Sequence, residues 1–138
     1  MSPNAVQYAV VESILDSELY EGIDEKIFWA LIQSIPLLLI AALIPFLATV
    51  EALRPEAEDT ALWFQRSGSL TVLFAVLSEF RLQTVDEHIN PRGIWDSFQE
   101  NMKQKYSRKH FLLSAISVLL AIIGTIIWGY GDLFIAIP

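Results

Sequence analysis

Apolar and polar positions follow one another in blocks along this chain. Residues 27–50 are 24 consecutive positions without a charged side chain, about 36 Å as a helix and enough to cross the hydrocarbon core of a bilayer. Residues 111–130 form a second uncharged run of spanning length. Residues 61–80 are also apolar, but Arg66 and Glu79 interrupt them and leave twelve uncharged positions in between. Arg66 lies roughly five residues inside the segment, about 7 Å, within reach of a snorkelling side chain. Trp63 beside it marks an interface. The segment is therefore also read as a span, the second of three in chain order.

The polar blocks carry amphipathic patterns. Across residues 4–21, Tyr8, Val11, Leu15 and Leu19 recur at helical spacing, with Val10 and Ile14 beside them and Glu12, Asp16 and Glu18 on other faces. Gly22 is expected to end this helix and Asp24 to cap the first span. Residues 81–110 connect the second and third spans. Here Asn90-Pro91-Arg92-Gly93 signals a turn. Trp95, Phe98 and Met102 then predict a short amphipathic helix to about Tyr106, its lysines facing lipid headgroups. The expected fold is an all-α integral membrane protein, a single membrane domain over residues 1–138. It has three transmembrane helices, an amphipathic N-terminal helix and a cytoplasmic amphipathic helix between the second and third spans.

Composition supports a lipid environment: 54% of residues are hydrophobic and 18% charged, more apolar than one small soluble core needs. Residues 1–26 hold six acids and one lysine, the reverse of a signal peptide, so this segment is expected to stay attached. No lipidation pattern is recognised at either end. The connection over residues 81–110 holds six of the nine basic residues, Arg81, Arg92, Lys103, Lys105, Arg108 and Lys109. The loop over residues 51–60 has four acids against Arg54 alone. The positive-inside bias then places the N-terminus in the cytoplasm, the acidic loop outside and the C-terminus external. A net charge of -7 argues against a nucleic-acid partner. The absence of cysteine removes disulfides and thiolate chemistry, and two histidines, His88 and His110, make no zinc site. No cofactor and no metal are expected.

Candidate functional residues are the polar anomalies of the spans. Arg66 and Glu79 are ionisable groups at membrane depth, where a charge costs at least about 2.5–3.5 kcal/mol. Some twenty ångströms of helix, about 1.5 Å for each step, keep them from pairing with each other. Arg66 must look to Glu58 or Asp59, to lipid phosphate, or to a second subunit, where a ring of arginines would favour anions. Gln33 and Ser34 are the polar groups of the first span, expected at helix contacts. Pro36 and Pro45 there are candidate hinges. Two small-residue stripes, Ser67, Thr71, Ala75 and Ser78 on the second span and Ser114, Ser117, Ala121 and Gly124 on the third, are suited to close helix packing, within one chain or between copies. Gly129-Tyr130-Gly131-Asp132 has the look of a potassium-filter tail, but Ile127-Trp128 stand where Thr-Val would, and only six residues follow. These glycines read instead as the end of the last helix, with Trp128 and Tyr130 as an interfacial belt. The segment after Asp132 is apolar enough to fold back on the membrane.

The stretches Trp63-Phe-Gln-Arg-Ser-Gly68 and Gly124-Thr-Ile-Ile-Trp-Gly-Tyr-Gly-Asp132 resemble segments of small uncharacterised bacterial membrane proteins. The resemblance names no activity and implies a bacterial inner membrane. The favoured expectation is a non-enzymatic, self-associating membrane protein that conducts ions or perturbs the bilayer, as a homo-oligomer, in the setting of a stress or phage-defence system. The alternative is an accessory or scaffold subunit that docks a larger protein through the N-terminal helix or the cytoplasmic connection. An enzyme ranks below both, since Asp86-Glu87-His88 alone in a connecting loop reads as a solvated turn.

Overall fold

The computed structural model describes residues 3–90 and 97–135, which form three long α-helices and one short turn of 3-10 helix. They are α1 (Pro3–Ala48), α2 (Thr60–Ile89) and α3 (Ser97–Ile135). Two of them, α1 and α3, are long and apolar enough to cross a membrane; α2 falls short of that standard.

Each helix is longer than the segment expected of it. The stop at Gly22 does not occur: α1 runs from Pro3 through Gly22 and Asp24 to Ala48, about 69 Å. A glycine inside a helix costs only about 1 kcal/mol, and docking of Ile23, Ile27, Ala30 and Leu31 on the other helices offsets it. Asp24 caps nothing and reaches sideways to α3 instead. The helix also continues through Pro36 and Pro45. In the same way, residues 97–110 and the third apolar run are one helix, not a surface helix followed by a span. No glycine or proline stands between Ser97 and Gly124 to break it. The glycines at 129 and 131 do not end α3 either, since it continues to Ile135, and residues Leu133–Ile135 stay helical rather than folding back. Trp95 and the Pro91-Arg92-Gly93 part of the expected turn lie outside the described residues.

Proline shapes the connection between α1 and α2. After Ala48 the chain makes the short turn Glu51–Leu53, and Arg54 then becomes extended, as a residue preceding proline prefers. The Glu58 amide donates to the Pro55 carbonyl at 3.0 Å, and the Trp63 amide to the Asp59 carbonyl at 2.9 Å opens α2. At its far end α2 stops at Ile89, with Asn90 ahead of Pro91.

α2 lies between the other two helices, each of which packs far more closely on it than on the other. Its partners descend as its own numbers rise. Along α2, Gln65, Ala75 and Glu79 meet Trp128, Ser117 and Ser114 of α3, and Ser78 meets Ser34 of α1. α2 is thus antiparallel to both neighbours, and α1 and α3 run parallel. The largest buried cluster gathers at the Asp24 end, from Ile27, Ala30 and Leu31 of α1, Leu82, Val85 and Ile89 of α2 and Tyr106 of α3. Towards the Glu58 end the helices touch through smaller groups.

Candidate functional site

The two small-residue stripes lie at the contacts of α2 with its neighbours, Thr71 and Ala75 towards α3 and Ser78 towards α1. Ser67, Thr71, Ala75 and Ser78 are buried, as are Ser117 and Gly124, while Ser114 and Ala121 are half-buried. Gly68 faces Gly124 so closely that a methyl group on Gly68 would run into the Gly124 carbonyl and the Trp128 amide. One on Gly124 would stand 2.8 Å from the Gly68 carbonyl oxygen and 2.9 Å from Val72 Cγ2. Hydroxyls lock the seam: Ser117 Oγ donates to the Ala75 carbonyl at 2.7 Å, and across the other contact Ser78 Oγ donates to the Ser34 carbonyl at 3.3 Å. Ser34 is buried there, but Gln33 beside it is exposed on the outside of α1. The α2 stripe is thus buried between its neighbours, while Ser114 and Ala121 of the α3 stripe stay half-buried.

Glu79 turns into the same seam. Its Oε1 accepts from Ser114 Oγ at 2.8 Å, while Oε2 is shielded from solvent and has no hydrogen-bond partner among the described residues. The carboxyl lines a groove of about 380 Å³ with Val76, Ser117, Val118, Ala121 and Ile122. Arg66 sits toward the opposite end of α2 and pairs with Glu58 of its own chain at 2.6 Å, its side chain 55% exposed. Glu58 is one of the loop acids within reach of Arg66 by sequence. Beside it Arg54 donates to Thr60 Oγ1 and lies 3.5 Å from Glu51.

A third polar cluster, which sequence reasoning missed, closes the Asp24 end. Lys105 Nζ donates to both Asp24 oxygens at 2.8 and 3.0 Å, and Tyr106 Oη donates to Oδ1 at 2.8 Å. The Lys105 ammonium, aided by the Tyr106 hydroxyl and opposed by burial, holds the Asp24 carboxyl below its ordinary value. The carboxylate in turn holds Lys105 above its own. Burial, followed by the neighbouring carboxylate, pushes the Tyr106 phenol up. Eighty-one positions separate Asp24 from Lys105. The available signal was Tyr106 itself, a hydroxyl on the stripe of Phe98 and Met102, which a buried position obliges to find a partner.

Beyond this cluster α1 extends further towards Pro3. Between residues 10 and 19 every side chain is exposed, including Val10, Val11, Ile14, Leu15 and Leu19, the last two at 59% and 61%. The side chain of Tyr8, expected on the same stripe, lies outside the described set. Ser13 and Ser17 bond the Val10 and Ile14 carbonyls of the same helix. An unsupported helix of this length is marginal in water, and an apolar stripe on it is a surface in want of a partner.

Asp86, Glu87 and His88 do not converge. Asp86 accepts from Asn90 at 2.8 Å, and His88 Nδ1 lies 2.6 Å from the Thr84 carbonyl oxygen of the preceding turn. Among the described residues no group of acids and histidines is arranged to hold a metal ion. No family model matches the chain, and no match is found among curated proteins or solved structures.

Proposed function

We propose that the protein is a non-enzymatic docking subunit of a bacterial inner membrane, anchored by three crossings and presenting the exposed acidic stretch of α1 between residues 10 and 19 to a protein partner in the cytoplasm. The observation that carries this reading is the exposed apolar stripe between residues 10 and 19, on a helix that is continuous with the membrane anchor.

Helix direction supports three crossings. Helices α1 and α3 are parallel, so if both traverse the bilayer, the chain must return across it between them, and α2 is the only described element that connects them. Its outward face supports this. Leu62, Leu70, Leu73, Val76, Leu77 and Phe80 are exposed, a belt about 27 Å tall against the roughly 30 Å of a hydrocarbon core. On α1 the corresponding belt from Phe28 to Leu47 is about 29 Å. Arg66 and Glu79 lie near the two ends of the α2 belt, and each is held by a group of its own chain. The basic residues around α3's start favour a cytoplasmic Asp24 end.

The charge of the arm selects its partner. Glu12, Asp16, Glu18 and Glu21 flank the stripe with no basic residue before Lys26, so two parallel copies would set like charges side by side. A partner helix or groove that is basic around an apolar centre complements it. Two of the sequence features that favoured a self-made conduction path have partners inside one chain: Gly68 of α2 meets Gly124 of α3, and Arg66 has Glu58.

Gentle detergent extraction of the membrane-inserted protein followed by native mass measurement tests the reading. The expected result is a stoichiometric complex with a different, basic protein, lost when Leu15→Asp and Leu19→Asp are introduced together while the protein still inserts. A bare monomer, a homo-oligomer, or a complex indifferent to both substitutions refutes it.

A further inference from the structure

Helices α1 and α3 meet through Asp24, Lys105 and Tyr106 and then leave a cleft of about 450 Å³ along their shared flank. Its walls are Phe28, Ile32 and Ile35 of α1 and Leu112, Leu113 and Ile116 of α3. Polar lining is confined to one end, where Tyr106 and Lys109 lie. The Tyr106 hydroxyl is taken by Asp24, and its ring carries the Lys109 ammonium 6.0 Å from its centroid, about the limit of a cation–π attraction. Lys105, one turn earlier, is neutralised by Asp24 at 2.8 Å. No described carboxylate pairs with Lys109. The slot is therefore apolar along its length with one positive charge at the mouth that no described carboxylate pairs.

We propose that this cleft binds one anionic phospholipid, an acyl chain lying between α1 and α3 and the phosphate resting on Lys109. Depth selects the occupant. The walls belong to the belt that begins at Phe28 and Phe111, so a molecule entering from the side comes from the hydrocarbon phase, where a peptide backbone has no hydrogen-bond partners. An acyl chain has no such groups to satisfy. Lys109 stands at the end of the apolar walls, at the depth of the headgroups, where a lysine attracts anionic lipid. The inference rests on α1 and α3 crossing the membrane and is independent of what the arm of α1 docks.

Native mass spectrometry of the full-length protein in mild detergent, titrated with phosphatidylglycerol or phosphatidylcholine of the same acyl chains, tests it. One phosphatidylglycerol per chain is expected to be retained in preference to phosphatidylcholine. Lys109→Gln should weaken that retention about fivefold, the effect of one lysine at an anionic surface. Ile32→Trp, which fills the slot and leaves the charge, should reduce it as well. Arg108→Gln, which removes a neighbouring charge outside the cleft, should leave it unchanged. Equal retention of the two lipids overturns the proposal. So does an unaltered adduct in Lys109→Gln and Ile32→Trp variants of native helicity, or an equal loss in Arg108→Gln.

Discussion

Replacing glycine by alanine should have opposite effects at two positions of this chain, because the two glycines solve different problems. A methyl group on Gly124 would lie 2.8 Å from the Gly68 carbonyl oxygen and 2.9 Å from Val72 Cγ2, against 3.4 Å or more in ordinary contact. The carbonyl belongs to a helix backbone and cannot rotate away, so α2 and α3 must part by about 0.6 Å, the difference between those distances. A gap of about 0.5–1 Å forfeits a quarter to a half of each dispersion contact along the seam. It also stretches the Ser117 to Ala75 hydrogen bond from its 2.7 Å. Overpacking of this kind costs about 1–3 kcal/mol. At Gly22, where nothing lies within 4 Å of an added methyl, the same substitution only removes the helix penalty of glycine and should stabilise by about 0.5–1 kcal/mol. Reversible unfolding in mixed micelles, followed by helicity, gives both signs in one experiment. A neutral or stabilising Gly124→Ala would refute the close seam. A destabilising Gly22→Ala would refute the continuity of α1.

Ser114→Ala leaves Glu79 without the one donor described for it and should destabilise by about 1–3 kcal/mol; adding Glu79→Leu should recover most of this, measured as a double-mutant cycle in the same micelles. Tyr106→Phe should cost about 1 kcal/mol by removing a single hydrogen bond to Asp24, read as a lowered midpoint. The Asp24–Lys105 tie should respond to pH from both sides. The Asp24 carboxyl is held low in the folded protein, so its contribution is complete above the unfolded value of about 4 and disappears as pH falls through the lower folded one. Lys105 is held high, so its contribution is complete below about 10.4 and disappears as pH rises through the higher folded value. Spin-label distances between α1 and α3 should therefore stay constant at neutral pH and lengthen in acid, and Asp24→Asn should abolish the acid change.

The uncharged runs at 27–50 and 111–130 were legible because hydrocarbon tolerates few charges, and the helices there sit where composition puts them. Helix ends were not legible from the same signal. Composition changes near Lys26, Arg81 and His110, but the backbone has no reason to stop there, and α1, α2 and α3 all run on. The absence of glycine and proline from residues 97–123 was the better guide, and Gly22 misled because a weak local preference yields to the packing of Ile23 and Ile27 on both sides of Asp24. The stripes of small residues were recognisable as packing faces by spacing alone, though which faces meet depended on a direction of packing that no single segment encodes. Gln33 and Ser34 show the same limit: adjacent in sequence, they point outward and inward. Asp24 was read as a cap because its partner on α3 is remote in the chain.

Vectorial labelling of single cysteines tests most directly whether α2 recrosses the membrane. The chain has no native cysteine, and Glu12, Glu56 and Glu87 are exposed, so Glu12→Cys, Glu56→Cys, Glu87→Cys and Asp132→Cys place one thiol in the arm, the acidic loop, the far end of α2 and the end of α3. The account predicts that an impermeant maleimide added outside sealed cells modifies positions 56 and 132 and reaches 12 and 87 only after lysis. Labelling of 56 and 87 from the same side would contradict three crossings, and with them the parallel arrangement of α1 and α3 in the bilayer.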